Sequence, residues 1–395
     1  MSSKRKMKVG VLMAATMLLT VLAGSAVLAG GKPKPPPGPA YSLAELMVPQ
    51  GFASSTLLDD VDVNDLGQVV GNMVRATGGY HAAVWETSSA EPTDLDNGFH
   101  RSFAGAINNL GQVAGSCSLD ETGSTHPVVW IPDGQGGYQM IDLAPDAHGG
   151  ATDINDHGMV VGGAAEVAFV VVPEDTDGDG KPDTWFRDTN LDGSNDLMFR
   201  LGPDVNSEGT EPHAINDFGW VVGNDVTLEW GDMPFLVIPQ DANGDGKPDT
   251  WFADANGDGV NDLMRHLPFS KDAADVNNQG QIVGSSARLW EVVVAGDGTV
   301  TVTTTQLPTP SPFDRWYAGA INDSGQVVGS AQIRKGDLDP VLWQKDKGMF
   351  WLESLVSDRA GFSDLDYAYG INEGGQIVGD GDTRAGVRGY LATPK

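Results

Sequence analysis

One short segment recurs seven times along this chain. The copies read DVNDLGQVVG from Asp62, AINNLGQVAG from Ala106, DINDHGMVVG from Asp153, AINDFGWVVG from Ala214, DVNNQGQIVG from Asp275, AINDSGQVVG from Ala320 and GINEGGQIVG from Gly370. Their asparagines, at 64, 108, 155, 216, 277, 322 and 372, are 44, 47, 61, 61, 45 and 50 residues apart. Self-similarity at such a period is typical of arrays of one supersecondary unit, so the fold has to be built from seven equivalent parts.

The shared segment predicts a β-hairpin. Asn-x-x-Gly places a turn-forming Asn at the start of a type I turn and a Gly where the chain needs positive φ. β-Branched residues flank the turn, as with Ile321 before it and Val327 and Val328 after it. Turn chemistry therefore accounts for these asparagines without a catalytic role.

Two further apolar segments follow most of the turns. Third-strand candidates are AAVWE ending near Glu86, PVVWIP at 127–132, PFLVIP at 234–239 and PVLWQ at 340–344. Fourth-strand candidates end in Leu or the residue after it, and are Ile141-Asp142-Leu143, Phe199-Arg200-Leu201, His266-Leu267-Pro268 and Thr305-Gln306-Leu307. Four short strands in a unit of about 45 residues predict a propeller blade. We therefore expect an all-β, seven-bladed β-propeller over residues 41–395.

The two ends of the repeat region predict how the ring closes. The last repeat reaches Lys395 without a fourth strand, whereas YSLAELMVP (Tyr41–Pro49) resembles the fourth-strand segment FWLESLVSD (Phe350–Asp358). We expect the N-terminal strand to complete the last blade, because ladder hydrogen bonds would then join the ends and remove two exposed edges. A linear solenoid would instead need capping repeats, and none is evident.

Tryptophan recurs at the third strand, at Trp85, Trp130, Trp290 and Trp343. A sugar-stacking surface is one interpretation. Recurrence at one core-facing strand position favours packing between blades.

The N-terminal residues predict export. Residues 1–29 carry Lys4, Arg5, Lys6 and Lys8, then an apolar run and small residues, as a secretory signal peptide does; a retained membrane anchor is the alternative. Residues 30–40 contain KPKPPPGP and predict a stiff Pro-rich linker. The expected location is secreted, either extracellular or periplasmic.

Composition limits the partners. Without residues 1–29 the chain has 20 basic and 54 acidic residues, so it should repel nucleic acid and anionic membranes. The 40% apolar content and ten tryptophans still provide a core. Cys117 is the sole cysteine, which excludes an intrachain disulfide. We expect a monomer.

Repeats three and four are longer because each holds an aspartate-rich insert between its third and fourth strands, at 175–198 and 241–264. Each insert has two loops of the form D-x-[DN]-x-D-G-x-x-D. Carboxylates at positions 1, 3 and 5 with a carbonyl at 7 form an oxygen-rich site that favours calcium. We predict up to four Ca²⁺ ions, two per insert, with a solvated acidic loop as the alternative. The predicted ligand positions are Asp175, Asp177, Asp179, Lys181, Asp183, Asp188, Asn190, Asp192, Ser194, Asp196, Asp241, Asn243, Asp245, Lys247, Asp249, Asp254, Asn256, Asp258, Val260 and Asp262.

The loops depart from EF-hands at position 12. Where a bidentate Glu belongs, the sequence has Phe186, Phe199, Phe252 and Arg265. The loops resemble thrombospondin type 3 repeats, helix-free modules whose neighbouring loops share ligands. The Asp at position 9 or a carboxylate of the adjoining loop would then complete each site. Trp185-Phe186 and Trp251-Phe252 are expected to form an apolar floor beneath each pair of loops.

The alternation of INxxGQVVG with an apolar segment ending in Trp resembles the HAF family of probable extracellular repeats of secreted bacterial proteins. The His-Ala-Phe element is nearest at His81-Ala82-Ala83-Val84-Trp85 and His126-Pro127-Val128-Val129-Trp130, whereas repeat six has Asp339-Pro340 there. The resemblance covers 41–395 outside the inserts and implies a secreted repeat protein without implying an activity.

Three functions remain open from the sequence. The leading one is a non-catalytic binding or structural module for a glycan, matrix polymer or protein. The alternative is a carbohydrate-active hydrolase or lyase, but the histidines fall at unequal repeat positions and no catalytic motif or catalytic residue can be assigned. A third is that calcium bridges neighbouring molecules. Carboxylates or histidines at the channel that are unmatched in other blades would favour an enzyme, and identical lining from every blade would favour a scaffold.

Overall fold

The computed structural model describes residues 41–55, 61–96, 98, 101–119, 123–165, 167–202, 207–227, 231–244, 247–268, 272–309, 315–334 and 337–395. The predicted signal peptide (1–29), the predicted linker (30–40) and Asp245 lie outside these residues. Within the described part of the chain, the strands form seven antiparallel sheets arranged as a β-propeller, as predicted.

The first three blades use strands β2 to β14, after an initial strand β1 (Tyr41–Glu45). In blade one, β2 and β3 both pair with β4, so the inner strand is in two pieces. The strands are β2 (Phe52–Ser54), β3 (Asp62–Val63), β4 (Val69–Arg75), β5 (Tyr80–Trp85), β6 (Thr93–Asp94), β7 (Ser102–Ile107), β8 (Val113–Ser118), β9 (Thr125–Pro132), β10 (Tyr138–Asp142), β11 (Gly149–Ile154), β12 (Val160–Ala164), β13 (Val167–Val171) and β14 (Met198–Arg200).

The last four blades use the remaining strands, and the two inserts lie between β13 and β14 and between β17 and β18, where the sequence places them. These strands are β15 (Ser207–Ile215), β16 (Val221–Thr227), β17 (Gly231–Val237), β18 (Met264–His266), β19 (Asp275–Val276), β20 (Gln281–Gly284), β21 (Arg288–Val294), β22 (Val300–Gln306), β23 (Arg315–Ile321), β24 (Val327–Arg334), β25 (Asp337–Gln344), β26 (Gly348–Trp351), β27 (Phe362–Ile371), β28 (Ile377–Thr383) and β29 (Gly386–Pro394).

The ring closes through its N-terminal strand. β1 pairs antiparallel with β29, from Tyr41 opposite Pro394 to Glu45 opposite Tyr390, and so completes blade seven. Tyr41 and Leu43 are buried against this blade, which adds apolar burial to the ladder hydrogen bonds.

The segment expected to be a plain fourth strand at Phe350–Asp358 is different. Strand β26 ends at Trp351, and a one-turn helix, α1 (Leu352–Leu355), follows. The helical turn places both Leu352 and Leu355 in the core. A strand would not do so, because side chains three residues apart in a strand point to opposite faces. The four residues of α1 are the only helix in the described ranges, so none of the described helical structure is long and apolar enough to cross a membrane.

The seven turns have the predicted geometry. Their glycines, Gly67, Gly111, Gly158, Gly219, Gly280, Gly325 and Gly375, have φ between +69° and +79°, a region that favours glycine. Each turn asparagine is buried, and its Oδ1 accepts backbone N–H groups within the turn, as Asn322 does from Gln326 at 3.0 Å.

Each turn asparagine also reaches the next blade, a contact that the turn pattern alone does not predict. Its Nδ2 donates to the backbone carbonyl of the next turn asparagine at 2.8 to 3.1 Å. The series runs from Asn64 through Asn372 and back to Asn64, and forms a closed ring of seven hydrogen bonds. Since these groups are buried, the ring contributes directly to blade-to-blade stability.

The third-strand tryptophans are core residues, as predicted: Trp85, Trp130, Trp290 and Trp343 are buried. Blades three and four have Val171 and Val237 at this position, opposite the first valine after the turn. Their inserts provide the indoles instead, because Trp185 and Trp251 are fully buried against the same blades. Each insert therefore contributes a tryptophan to the core, although most of its loop residues are exposed.

Candidate functional site

The first loop of the blade-three insert folds around Asp175. Its Oδ1 accepts the backbone N–H of Gly178 at 2.6 Å, and its Oδ2 accepts that of Gly180 at 2.9 Å. Carboxylate oxygens of Asp175, Asp177 and Asp183 lie within 4.8 Å of one another. Positions 1, 3 and 9 of the motif thus converge in this loop.

The second loop of this insert repeats that fold. Asp188 accepts the N–H of Gly193 at 2.9 Å, and Asn190 accepts that of Asp192 at 3.0 Å. Asp196, at position 9, accepts both the N–H and the hydroxyl of Thr189 at 2.8 and 2.6 Å. The same residue types therefore adopt one local conformation twice within a single insert.

The blade-four insert follows the same pattern. Asp241 accepts the N–H of Gly244 at 2.7 Å, and Asp254 accepts those of Gly257 and Gly259 at 2.7 and 2.9 Å. At position 9, Asp249 and Asp262 each accept a backbone N–H at 3.0 and 2.8 Å, from Ala242 and Ala255.

Position 7 was predicted to supply a backbone carbonyl. Its own N–H donates to the position-5 carboxylate in three of the loops, from Lys181 to Asp179, from Ser194 to Asp192 and from Val260 to Asp258, at 2.8 to 2.9 Å. In the fourth loop, the position-7 residue Lys247 is exposed, and its position-5 partner Asp245 lies outside the described residues.

Hydrogen bonds lower the pKa of several loop carboxyls. The hydroxyl of Thr176 lowers the pKa of Asp183, and the hydroxyl of Thr189 lowers that of Asp196. The N–H of Ser194 lowers the pKa of Asp192, and that of Ala242 lowers that of Asp249. Ionised carboxylates are the form that a hard cation binds.

An asparagine at position 8 ties each second loop to the preceding blade. Asn195 donates from Nδ2 to the carbonyls of Leu143 (3.1 Å) and Trp185 (2.9 Å), and it is buried. Asn261 does the same toward Leu201 and Trp251, at 2.8 Å each. Leu143 and Leu201 directly follow β10 and β14, the outer strands of blades two and three. The only sequence signal for this contact is that both second loops have Asn where both first loops have Pro.

The tryptophan of each insert is bonded to the turn of its own blade. Trp185 Nε1 donates to the carbonyl of Gly158, and Trp251 Nε1 donates to that of Gly219, both at 2.8 Å. Phe186 and Phe252 are half-buried beside them. The tryptophan of each insert is thus anchored in the blade core and on its turn, and its role as a floor beneath the loops stays a prediction.

A second ring of polar residues lines the mouth of the central channel. The residue after each turn asparagine accepts the backbone N–H of its counterpart in the preceding blade, at 2.6 to 3.0 Å. Five of the seven are acidic, so the mouth, a cavity of about 370 Å³, is strongly negative. The ring consists of Asp65, Asn109, Asp156, Asp217, Asn278, Asp323 and Glu373. Burial and the nearby Asp323 and Asp65 raise the pKa of Glu373.

Three aspartates lie deeper in the channel wall, in alternate blades. Asp62 Oδ1 accepts the N–H of Val63 at 2.7 Å, and its Oδ2 accepts that of Ile107 in the next blade at 3.2 Å. Asp153 and Asp275 make the equivalent pairs of bonds. Each carboxylate thus accepts hydrogen bonds from the backbone of two neighbouring blades. This accounts for the alternation of Asp and Ala before the turn in successive repeats.

Burial raises the pKa of all three channel carboxyls, and the backbone N–H groups oppose this. The pKa of Asp275 rises to about 6, that of Asp153 rises well above its usual value, and that of Asp62 rises as well. Mutual repulsion adds to the effect of burial, because Asp62 faces both of the others. These groups line a cavity of about 510 Å³ with His213.

The histidines of the two HAF-like elements have a structural partner in the neighbouring strand. His81 Nδ1 lies 2.8 Å from Asp94 Oδ2, and His126 Nδ1 lies 3.0 Å from Asp142 Oδ2. Both pairs link the third strand of a blade to its fourth. They lie in separate blades and do not converge on one site.

Comparison with known proteins supports no family assignment. No protein-family model and no curated protein matches the chain, so the resemblances to HAF repeats and to thrombospondin type 3 loops stay predictions. Among solved structures, the chain is similar to a puromycin-hydrolyzing peptidase of Mycobacterium tuberculosis, with TM-score 0.44 and 13% identity over 89% of this chain and 56% of that one.

Two other solved structures are similar at the same level. A β-propeller domain from Myceliophteria thermophila has TM-score 0.44 and 11% identity over 84% of this chain and 95% of that domain. An acylaminoacyl peptidase of Pyrococcus horikoshii has TM-score 0.39 and 11% identity over 90% and 51%. The chain spans about half the length of the two peptidases. At such identities nothing about activity can be transferred.

Proposed function

We propose that this chain is a secreted calcium-binding propeller that acts as a non-catalytic binding module for an extracellular ligand. The observation that carries the metal proposal is the convergence of Asp175, Asp177 and Asp183 within 4.8 Å, in a loop whose bond from the position-6 glycine N–H to the position-1 carboxylate recurs in the loops that begin at Asp188 and Asp254. Carboxylates at this spacing repel one another unless a cation neutralises them. An oxygen-only ligand set suits Ca²⁺, which would be held by positions 1, 3, 5 and 9 and the carbonyl of position 7.

Two features of the channel support a non-catalytic role. The mouth is lined by the same three sequence positions, the turn asparagine and the residues on either side of it, with the residue after the asparagine contributed by all seven blades and each of the other two by six. The deeper carboxylates Asp62, Asp153 and Asp275 are unmatched in the other blades, but both oxygens of each accept backbone N–H groups. Their alternation therefore has a structural reason.

Calcium titration by calorimetry tests the metal proposal on the chain without residues 1–29. We expect four sites with dissociation constants on the order of 0.1 to 1 mM. Asp254→Asn should remove one site, since Asp254 accepts the N–H groups that shape its loop. Asp297→Asn, in the exposed turn between β21 and β22, is the matched control and should leave all four. No heat at millimolar calcium, or an unchanged stoichiometry in Asp254→Asn, would refute the metal site.

Export is tested separately. Expression of the full chain in a bacterium with intact secretion should yield protein outside the cytoplasm whose N-terminal residue, read by mass spectrometry, is Gly30. Recovery of the intact N-terminus in the membrane fraction would instead support the membrane-anchor alternative.

A further inference from the structure

An open groove runs between the two inserts on the channel-mouth face. It has a volume of about 620 Å³, within the range of ligand-binding clefts. Its apolar lining has two pairs of equivalent prolines from blades three and four, Pro173 with Pro239 and Pro182 with Pro248, together with Met159, Val172 and Phe218. The groove thus combines a rigid, proline-rich wall with one aromatic side chain.

Phe218 is exposed without a structural need. The residue two positions after the turn asparagine is Phe218 in blade four, with 59% of its surface accessible. The equivalent residues are Gln279, Ser324 and Gly374 in blades five to seven and Leu66, Leu110 and His157 in blades one to three, and Leu66 is the more exposed at 70%. The turn therefore accepts polar residues at this position, and Phe218 differs from Leu66 and Leu110 in that it lines the groove.

The acidic groups that the groove offers to a ligand lie at the channel mouth. Asp156 and Asp217 line both the groove and the mouth, whereas Asp175 and Asp241 belong to the proposed calcium sites, and Lys247 and His157 are basic. The groove thus opens into the acidic ring. A ligand in the groove would therefore meet apolar walls and, toward the channel mouth, the carboxylates of Asp156 and Asp217.

We propose that the groove and the adjoining mouth bind an extended, basic peptide segment of a partner protein. Its lysine or arginine side chains would pair with Asp156 and Asp217, and its apolar side chains would pack on Phe218 and the prolines. Charge complementarity favours this occupant, because the remainder of the mouth is also acidic. The inference rests on the proposed role as a binding module and names its ligand class.

Fluorescence anisotropy with a labelled nonapeptide of repeating Lys-Pro-Leu tests this inference, at constant millimolar calcium. The peptide should bind with an affinity that falls as salt rises, and its Glu-Pro-Leu counterpart should not bind. Phe218→Gln, which installs the blade-five residue, should weaken binding about tenfold. Leu66→Gln, at the same turn position in blade one and outside the groove, should not.

The carboxylates are tested by the double variant Asp156→Asn and Asp217→Asn. Asn109 Nδ2 donates to Asp156 Oδ2 and Asn278 Nδ2 donates to Asp217 Oδ2, both at 2.8 Å, so each substitution also removes an acceptor from the ring, and the unfolding midpoint of the double variant is measured beside its binding. We expect weaker binding with a smaller salt dependence, whereas Asp346→Asn in the exposed turn between β25 and β26 should have no effect.

The proposal is overturned if neither peptide binds, if both bind equally, or if Phe218→Gln and Leu66→Gln behave alike. It is also overturned if xylohexaose, a neutral glycan, binds with the expected sensitivity to Phe218→Gln while the basic peptide does not. Calcium titration of the same variants separates the two proposals. If all four calcium sites are intact and the peptide does not bind, the peptide proposal is refuted and the calcium proposal is not.

Discussion

Asn372 Nδ2 lies 2.8 Å from the backbone carbonyl oxygen of Asn64 and donates a hydrogen bond to it. These residues are 308 positions apart in sequence and belong to the last and first blades. The bond is the seventh in a ring that otherwise joins each blade to its successor, so it acts together with the pairing of β1 and β29 to close the propeller.

Asn372→Asp should destabilise the ring. The carboxylate keeps the oxygens that accept the N–H of Gln376, but it cannot donate to Asn64 and places a charge against a buried carbonyl. We expect the free energy of unfolding to fall by about 1–3 kcal/mol in urea titrations with a chelator present. Asn256→Asp is the control, because Asn256 is exposed and Asp occupies the same motif position at Asp177. Equal midpoints for both variants would contradict a role for the ring.

Removal of β1 should expose an edge. A chain that begins at Leu46 lacks the ladder partner of β29 and the buried side chains of Tyr41 and Leu43, each worth about 1.5–3 kcal/mol of apolar burial. We expect a lower melting temperature and self-association through the unpaired strand, measured by light scattering. A chain that begins at Ala40 retains β1 and should stay monomeric. Identical mass and stability of the two truncations would argue against N-terminal closure.

Much of this architecture could be predicted because each blade is specified locally. The hairpin turn, its glycine and the apolar alternation lie within a few residues of one another, and the sevenfold repetition fixes their number. The inserts could be placed for the same reason, since the surplus length in repeats three and four falls at one point. The segment after Trp351 was predicted wrongly, because a one-turn helix and a short strand both bury a Leu-rich segment.

Contacts between blades could not be predicted from the repeat alone. The bond from Asn195 to Leu143 joins residues 52 positions apart, and nothing within either segment indicates the other. The alternation of Asp and Ala before the turns was visible in the sequence. The structural role of this alternation could not be predicted without the position of the neighbouring blade, because the carboxylate of Asp153 accepts the N–H of Ile215 across the interface between blades.

Trp185→Phe should be more damaging than Trp130→Phe. Both tryptophans are buried and both substitutions remove the same volume. Trp185 Nε1 donates to the carbonyl of Gly158, whereas Trp130 Nε1 has no hydrogen-bond partner within the described part of the chain. The difference in unfolding free energy should be about 1 kcal/mol. It is measured by chemical unfolding without calcium, and a larger loss in Trp130→Phe would show that the insert indole is not anchored as the structure indicates.

The channel carboxyls should make stability depend on pH. Burial raises the pKa of Asp275 to about 6, aided by Asp62 and Asp323, so the folded chain holds a proton there that the unfolded chain releases. Its contribution to stability is thus fully present below the unfolded pKa of about 4 and is lost as pH rises through the folded value.

Asp275→Ala, which installs the residue found in blades two, four and six, tests this dependence. It should lower stability at all pH values because Ile321 loses its acceptor, yet the deficit relative to the unsubstituted chain should shrink as pH rises from about 4 to about 7. Asp297→Ala is the control. The hydrogen bond from the Thr299 N–H lowers the pKa of this exposed carboxyl, so its effect on stability should fall at pH values below about 4. Urea unfolding at several pH values measures both, and a deficit that stays constant or grows with pH would show that Asp275 is already ionised in the folded channel.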